Sequence, residues 1–294
     1  MIEEIGAQAV TGRVLAWYQQ ARRELPWRRP EASPWDILVS EFMLQQTAVA
    51  RVLEPWRRWV TRWPAPAALA EAPAGEAVRA WGRLGYPRRA LRLHQAATAM
   101  VARHGGQVPA GLEELMALPG VGQYTAAAVA SFAYGRRHVV LDTNVRRVLA
   151  RVAAGTAHPP AGAGAAERAL AERFLPSSAP VAARWAAASM ELGALVCTAR
   201  APRCPECPVR DVCAWRAAGH PAWTGPARRG QPYEGTDRQC RGALLAVLRS
   251  AEEPVAAEAL EAAWPATAQR ERALASLLAD GLVVPAAPAG FGLP

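Results

Sequence analysis

Four cysteines lie close together in the last third of the chain. Cys197, Cys204, Cys207 and Cys213 span 17 residues, with six, two and five residues between successive pairs. Four thiolates at this density can ligate a tetrahedral zinc ion or a 4Fe-4S cluster. Their spacing is neither that of a paired CxxC zinc ribbon nor that of the ferredoxin run. A closed four-thiolate site usually orders a loop, so the pattern predicts a structural metal centre, with Cys240 outside it.

Two carboxylates stand in contexts that predict opposite charge states. Glu41 lies in SEFMLQQT (40–47) among apolar residues, where burial would raise its pKa as a general acid requires. The alternative is an ordinary solvated helix residue. Asp142 precedes an apolar-periodic segment and is predicted to be its N-cap, where helix N–H groups favour the ionised form. A protonated and an ionised carboxylate can together break a glycosidic bond through an oxocarbenium-like transition state.

A glycine-containing turn suggests a contact with phosphate. In LPGVGQYTA (118–126), Gly120 and Gly122 allow a tight turn between two helices and expose N–H groups at the start of the second helix. Such groups bind phosphate regardless of base sequence. The alternative is an ordinary turn between helices, and the basic charge of the chain favours the phosphate clamp.

The charge of the chain indicates a polyanionic partner such as nucleic acid. The net charge is +9, and all 34 basic residues are arginine. Because there is no lysine, no lysine amine is available to form a Schiff base. The sequence has neither a charged-then-apolar leader nor an apolar run long enough to span a membrane. These features predict a cytoplasmic protein, associated with the nucleoid if the source is a prokaryote.

The elements that must position these residues are predicted to be helices. Hydrophobic residues make up 51% of the chain, and β-branched runs are few, which favours helices over strands. One helix is expected to end at Pro26, and amphipathic helices follow from about 33 to 215. The segment 216–237 is rich in Gly, Pro and Arg and is predicted to be a linker. In 238–294, three amphipathic segments followed by LVV and FGL predict a small winged-helix-like domain.

Six sequence motifs, in the order in which they occur, resemble those of one enzyme family. They are LPW (25–27), SEFMLQQT (40–47), LGY (84–86), LPGVGQYTA (118–126), LDTNVRRVL (141–149) and MELGALVC (190–197). Together with the cysteine spacing, they resemble the helix-hairpin-helix DNA glycosylases of the endonuclease III superfamily, and among these the MutY-type adenine DNA glycosylases. The resemblance covers roughly residues 10 to 215.

The resemblance implies an all-α glycosylase domain over 1–215 that carries one 4Fe-4S cluster on the four cysteines. A six-helix subdomain would cover about 30–135, and a cluster subdomain would combine 1–29 with 136–215. The bifunctional relatives carry a nucleophilic lysine where this chain has Tyr124. The resemblance therefore implies a monofunctional enzyme that acts as a monomer on double-stranded DNA containing mismatched adenine, with no membrane partner.

The resemblance also implies a role for each matching residue. Glu41 would protonate N7 of the flipped adenine, Asp142 would stabilise the resulting sugar cation, and Asn144 would help to hold that site. The base pocket would be lined or supported by Tyr124, Arg23, Trp27, Arg28, Leu44, Val49 and Met190. The opposite base would be met by Gln45, Gln46 and Thr47, with Tyr86 wedged into the stack. The phosphates would be met by Gly120 and Gly122, and the loop between the first two cysteines could present Arg200 and Arg203 to phosphates as well.

Plainer alternatives stand beside several of these roles. Tyr86, Trp27 and Met190 are equally compatible with core packing, and Arg200 and Arg203 with solvated surface charge. For the whole chain, one alternative is a non-catalytic DNA-binding protein on the same scaffold. Another is a glycosylase for a different mismatch, such as thymine opposite guanine.

The tail departs from the family pattern. Many members carry a C-terminal Nudix-like domain that helps to recognise 8-oxoguanine opposite the adenine, and 238–294 is too short for one. We therefore expect adenine opposite 8-oxoguanine or guanine to be the substrate. We also expect weaker discrimination between these two opposite bases than in relatives that carry the Nudix-like domain.

Overall fold

The computed structural model describes residues 2–225, 233–287 and 290–294. Up to residue 225 its helices are α1 (Ile2–Ala21), α2 (Pro34–Leu44), α3 (Val49–Arg62), α4 (Pro66–Glu71), α5 (Ala74–Trp81), α6 (Arg88–His104), α7 (Leu112–Met116), α8 (Gln123–Tyr134), α9 (Thr143–Val152), α10 (Ala165–Arg173), α11 (Ala179–Leu195) and α12 (Ala214–Ala217). Short 3-10 turns cover Pro26–Arg28, Cys204–Glu206 and Arg210–Val212. The described residues before 226 contain no strand, which confirms the helical class predicted for them.

The tail contains the three helices and the hairpin that the sequence predicts. Its elements are α13 (Asp237–Ser250), β1 (Val255–Ala256), α14 (Ala257–Ala263), α15 (Thr267–Ala279), β2 (Val284–Ala286) and β3 (Gly290–Gly292). The short strand β1 was not predicted; it pairs antiparallel with β3, so the sheet order is β1-β3-β2. Cys240 is fully buried in α13, which agrees with its predicted place outside the metal centre. Residues 226–232 of the predicted linker lie outside the described residues, as do 288–289.

The first helix ends earlier than predicted, at Ala21 rather than at Pro26. The backbone N–H of Arg23 donates to the Glu191 carboxylate at 2.9 Å instead of to a helix carbonyl. The ion pair that Arg23 makes with Glu191 holds the chain in this non-helical path. A partner 168 positions away therefore decides where α1 stops.

The described residues form two compact units. The first, called here the cysteine unit, comprises Met1–Ile37, Ala110–Ala117 and Val121–Pro226. Its core lies where α1 and α9 pack on α11, and Val14 and Leu192 have no exposed surface there. These helices position the cysteines and the segment that begins at residue 142.

The second compact unit is called here the tail unit. It comprises Leu38–Pro109, Leu118–Gly120 and Ala227–Pro294, and so contains α3 to α6 together with the tail. Helices α4 and α5 both pack on α6. The Trp59 ring meets Trp81 edge to face, with 5.7 Å between the centroids, and this pair anchors α3 to α5.

The compact units divide the chain differently from the predicted subdomains, whose boundaries stay predictions. Residues 110–117 and 121–135 fall in the cysteine unit, although the prediction assigned them to the six-helix subdomain. The reason is that α8 packs on α11, with Ala127 and Ala128 buried against Ala186. No helix within the described ranges is long and apolar enough to cross a membrane.

Candidate active site

Glu41 is a buried carboxylate on an apolar helix. Its exposed fraction is 5%, and its neighbours Ser40, Phe42 and Met43 are at most 1% exposed. The helix that carries it begins with a reciprocal cap, in which Ser33 and Asp36 exchange backbone-to-side-chain hydrogen bonds of 2.8 and 3.1 Å. The interpretation of Glu41 as a solvated helix residue is therefore wrong.

Asp142 is the N-cap of α9, as the sequence predicts. Its Oδ1 accepts the Val145 N–H at 2.6 Å, and its Oδ2 accepts the Asn144 side-chain amide at 2.6 Å. Burial raises the pKa of Asp142 above its ordinary value, although the bonds from Val145 and Asn144 lower it. The cap geometry is confirmed, but burial outweighs the helix N–H groups that were expected to keep the pKa low.

Asn144 links Asp142 to an arginine that the sequence analysis did not single out. The amide oxygen of Asn144 accepts a 2.8 Å bond from Arg147 Nη2, and Arg147 also donates to the carbonyl oxygens of Gly193 and Cys197, both at 2.7 Å. A Cβ at Gly193 would lie 2.6 Å from the Asn144 Cβ, so only glycine lets α11 approach this closely. The carboxylate, the amide and the guanidinium thus form one fixed network within the cysteine unit.

A second carboxylate of the cysteine unit, Glu191 on α11, was also missed. It has no exposed surface, and it holds two of the predicted pocket residues, Arg23 through bonds of 2.8 Å and Arg28 through one of 3.0 Å. Burial alone would raise the pKa of Glu191, but the bonds from Arg23 and the charge of Arg28 bring it to about 2. The Nη1 of Arg28 is buried without a hydrogen-bond partner among the described residues.

The remaining predicted pocket residues are all buried or half-buried. Trp27 is buried, and Met190 is half-buried against Ala127 and Ala186. Tyr124, near the start of α8, packs half-buried against the same small cluster. In the tail unit, Leu44 and Val49 are half-buried as well.

Two turns of the tail unit carry the residues predicted to meet the opposite base. Residues 45–47 and 84–86 are called here the turn pair. Gln46 has a φ of +55° and Tyr86 a φ of +48°, in the left-handed region that non-glycine residues rarely adopt. Tyr86 is 52% exposed, so its interpretation as a core residue is wrong. Exposed residues with strained backbone conformations are typical of functional surfaces, where the surrounding contacts maintain the strain.

Those contacts join the two turns to each other. The Arg89 guanidinium lies 4.5 Å from the Tyr86 ring centroid and donates to the carbonyl oxygen of Gln45. Thr47 is buried and donates to the carbonyl oxygen of Leu84 at 3.3 Å. The hydroxyl of Thr47 therefore binds the turn pair together, whereas Gln46 is exposed.

The two glycines of the LPGVG turn serve different purposes. Gly120 has a φ of +80°, and a Cβ there would lie 2.6 Å from Arg92 Cβ, so no other residue fits. Gly122 is the N-cap of α8 and offers no side-chain oxygen to the first N–H groups of that helix. Those N–H groups therefore lack a side-chain cap, as a phosphate clamp requires.

The four cysteines line one pocket of the cysteine unit. Within the described residues, no three His, Cys, Asp or Glu side chains are grouped so that they could hold one metal ion. Four thiolates that line one pocket can hold a 4Fe-4S cluster, in which each thiolate binds its own iron. Burial, together with the charges of the other three cysteines, raises the pKa of Cys207 to about 11, so a bound metal cation would be required to keep this thiolate ionised.

Side chains around the cysteines complete this centre. Arg151 donates to the Cys197 sulfur at 3.4 Å, and His220 Nε2 lies 3.7 Å from the Cys204 sulfur. The Trp215 ring contacts both, at 4.6 Å from the Arg151 guanidinium and 4.5 Å from the His220 ring centroid. Donors of this kind orient thiolate ligands and tune a cluster.

The two arginines of the loop between the first two cysteines differ in their surroundings. Arg203 donates to the carbonyl oxygen of Leu195 and pairs with Glu206 at 3.0 Å. Arg200 is exposed and makes no hydrogen bond or ion pair with the described residues.

Comparison with known proteins identifies the family. Residues 39–175 match the HhH-GPD superfamily base excision DNA repair proteins, and residues 197–213 match the iron-sulfur binding domain of endonuclease III. The adenine DNA glycosylase of Mycobacterium tuberculosis is 56% identical over 282 residues, which cover 96% of this chain and 92% of that protein. The chain belongs to the adenine DNA glycosylase family.

Other similar proteins are adenine and thymine DNA glycosylases. The adenine DNA glycosylase of Mycolicibacterium smegmatis is 52% identical over 281 residues, covering 95% of this chain and 94% of that protein. The thymine-DNA glycosylase of Aeropyrum pernix is 35% identical, covering 70% of this chain and 93% of that protein. A solved thermostable thymine-DNA glycosylase aligns with a TM-score of 0.66 at 25% identity, covering 73% of this chain and 98% of that one.

These findings confirm four predictions made from the sequence. The chain has the helix-hairpin-helix glycosylase fold, and it is an adenine DNA glycosylase of base excision repair whose substrate is DNA. The 4Fe-4S cluster, one per chain, is confirmed by the match over 197–213, which runs from the first of the four cysteines to the last.

The cluster assignment predicts the colour and metal content of the purified protein. Prepared without oxygen, the glycosylase should be brown, with broad visible absorbance and about four irons per chain. Metal analysis beside the absorbance spectrum checks this. Stoichiometric zinc with no visible absorbance would contradict the assignment.

Proposed function

We propose that this glycosylase is monofunctional, acts as a cytoplasmic monomer, and hydrolyses the N-glycosidic bond of adenine paired with 8-oxoguanine or guanine in double-stranded DNA. The observation that carries the proposal is the burial of Glu41, at 5% exposure, beside the apolar side chains of Phe42 and Met43. Burying a carboxylate costs free energy, and binding DNA does not by itself require that cost at Glu41. A general acid does, because desolvation favours the protonated form.

In the proposed reaction, Glu41 delivers its proton to N7 of the extruded adenine. The C1′–N9 bond then breaks, and its electron pair leaves with the base. Asp142 stabilises the positive charge that develops on the sugar, with its orientation fixed by Val145 and Asn144. Water adds to C1′ and loses a proton, which completes hydrolysis.

The base pocket is proposed to use the residues that the family resemblance names. Arg28 supports this assignment, because its buried Nη1 has no acceptor among the described residues and a purine offers ring nitrogens. Glu191 fixes Arg23 and Arg28 without exposed surface of its own. Tyr124, Trp27, Leu44, Val49 and Met190 would supply the apolar walls of the pocket.

The turn pair is proposed to fill the space that the extruded adenine leaves. Base extrusion costs a few kcal/mol, so a wedge and replacement hydrogen bonds are required on that side. Tyr86 would be the wedge, and Gln46 would offer its amide to the opposite base beside Gln45. Thr47 would hold the turn pair in its conformation and so position Gln46, because its hydroxyl donates to the carbonyl oxygen of Leu84.

The proposed monofunctional chemistry follows from the absence of lysine. Strand cleavage by the route of the bifunctional relatives requires a lysine that forms a Schiff base, and none of the 34 basic residues is lysine. Tyr124 occupies the position at which bifunctional relatives carry that lysine.

Single-turnover assays on three duplexes test this function. They would contain adenine opposite 8-oxoguanine, adenine opposite guanine, and thymine opposite guanine, each analysed with and without alkali. We expect adenine release from the first two, with strand breaks only after alkali. Thymine release would favour the alternative that the Aeropyrum relative suggests, and tight binding without release of any base would favour a binding protein.

Phosphates are proposed to be contacted by Arg200 and by the backbone N–H groups after Gly120 and Gly122. Arg203 is proposed to contribute less to phosphate binding than Arg200. Arg200→Ala should weaken binding to all duplexes and reduce the slope of log affinity against log salt by about 0.9, because one phosphate contact is lost. Arg203→Ala should change the slope less, because Arg203 is already paired with Glu206. Binding titrations from low to moderate salt measure both.

The matched control is Arg13→Ala, which removes an exposed arginine of α1 without a proposed role. An unchanged slope for Arg200→Ala, or an equal change for Arg13→Ala, would remove the cysteine loop from the proposed DNA interface.

A further inference from the structure

The tail has a charge that does not suit contact with DNA. Residues 233–294 contain five arginines and eight acidic residues, a net charge of −3 in a chain whose total is +9. The arginines of α15, the helix before the hairpin, are paired already: Arg270 with Glu261 at 3.1 Å and Arg272 with Asp237 at 3.2 Å. The tail therefore lacks the free positive charge with which winged-helix domains bind phosphates.

The tail is instead attached to α5 of its own unit. Arg79 on α5 donates to the carbonyl oxygens of Leu248, Arg249 and Ala251, which lie at the C-terminal end of α13. A cation at this position satisfies carbonyl groups that the helix leaves unpaired. A second hydrogen bond joins the same two helices, because Arg249 of α13 donates to the carbonyl oxygen of Val78 on α5 at 2.9 Å.

A second attachment reaches the start of α6. Asp280, just after α15, pairs with Arg241 of α13 at 2.6 Å and with Arg88 at 3.3 Å. Arg88 is the first residue of α6, and its neighbour Arg89 carries the contacts to Tyr86 and Gln45 that join the turn pair. Two adjacent arginines of α6 therefore contact different elements. Arg88 pairs with Asp280 of the tail, and Arg89 contacts Tyr86 and Gln45 of the turn pair.

We propose that the tail is an internal brace that fixes the turn pair through Asp280, Arg88 and Arg89, and thereby contributes to opposite-base discrimination. Gln46 and Tyr86 hold left-handed backbone conformations, and such conformations persist only where the surroundings maintain them. The inference rests on the proposed function of the turn pair. It assigns Asp280 and Arg79 as positioning residues, since neither is required to touch DNA.

The test is the ratio of single-turnover rates on adenine opposite 8-oxoguanine and adenine opposite guanine. Asp280→Asn removes the ion pair with Arg88, whose side chain is 59% exposed, together with the pair to Arg241 within the tail, so we expect the ratio to fall about two- to fivefold. Arg79→Met removes three carbonyl contacts and should lower the ratio further. Asp280→Glu should restore most of it, and Glu261→Gln, which breaks a pair within the tail, should leave it unchanged.

The design separates a brace from a general loss of stability. A partly unfolded enzyme population would lower the active fraction on both duplexes equally and leave the ratio unchanged, and thermal melting of each variant is measured beside it. Tyr86→Ala is included as a test of the proposed function. If it changes the ratio and the Asp280 and Arg79 variants do not, the brace is wrong; if Tyr86→Ala has no effect on any duplex, the role of the turn pair itself is wrong.

Discussion

Replacing Glu41 by glutamine should leave mismatch binding intact and slow adenine release by about 10²–10⁴-fold, the usual contribution of a positioned general acid. Glutamine has almost the same size and shape, so the packing around a side chain that is 5% exposed should survive. It cannot deliver a proton to N7 at neutral pH. Single-turnover rates at saturating enzyme, beside a binding titration on the same duplex, separate the two effects.

The control for this variant is Glu54→Gln. Glu54 lies on α3 with 61% of its side chain exposed, so its loss should leave both binding and adenine release unchanged. Turnover of the Glu41→Gln enzyme within threefold of the wild type would rule out the general-acid role.

Replacing Asp142 by asparagine should slow adenine release by about 10²–10³-fold, as expected when one preorganised electrostatic contact to the transition state is removed. Asparagine is itself a good N-cap, so α9 should still form and the Val145 N–H should keep its acceptor. The new amide would face the Asn144 amide, which now donates to Asp142 at 2.6 Å. We therefore also expect a modest loss of thermal stability.

The raised pKa of Asp142 adds a pH signature. Because burial raises this pKa, the ionised form that stabilises the sugar cation is lost as pH falls through a value above the ordinary one for aspartate. The rate should thus decline on the acid side at a higher pH than a solvated aspartate would give, and Asp142→Asn should lack this decline. Asp211→Asn, an exposed carboxylate of the same unit, serves as control. A full rate for Asp142→Asn would contradict its role.

The parts of the site that the sequence predicted are local. The cysteine spacing, the N-cap at Asp142 and the two glycines before α8 are patterns within a few residues, and their physical requirements can be recognised without the fold. The tail helices were predicted for the same reason, because their apolar periodicity is complete within each segment.

The parts that the sequence did not predict depend on distant partners. Glu191 lies more than 160 positions from Arg23 and Arg28, so nothing local indicates that it organises both. Arg147 occupies an apolar-periodic helix, where an arginine is ordinarily assigned to solvent, yet it is 9% exposed. The one sequence signal for Glu191 was an acidic residue among the apolar residues of MELGALVC (190–197). The same pattern singled out Glu41 in SEFMLQQT.

The shift of the Asp142 pKa was missed for a related reason. Helix capping can be predicted from the sequence, and it lowers the pKa of the capping carboxylate. The extent of burial is a property of the packed unit, and here it exceeds the effect of the cap. Pairings and burial of this kind follow from tertiary structure and not from periodicity.

The most direct test of proton delivery from Glu41 to N7 removes the acceptor instead of the acid. A duplex with 7-deazaadenine opposite 8-oxoguanine lacks N7 and keeps the Watson–Crick edge, and its single-turnover rate would be compared with that of adenine for both wild type and Glu41→Gln. We predict tight binding, release at least 100-fold slower by the wild type, and no further slowing by Glu41→Gln, because the acid has nothing to protonate. Rapid release of 7-deazaadenine by the wild type would contradict protonation at N7.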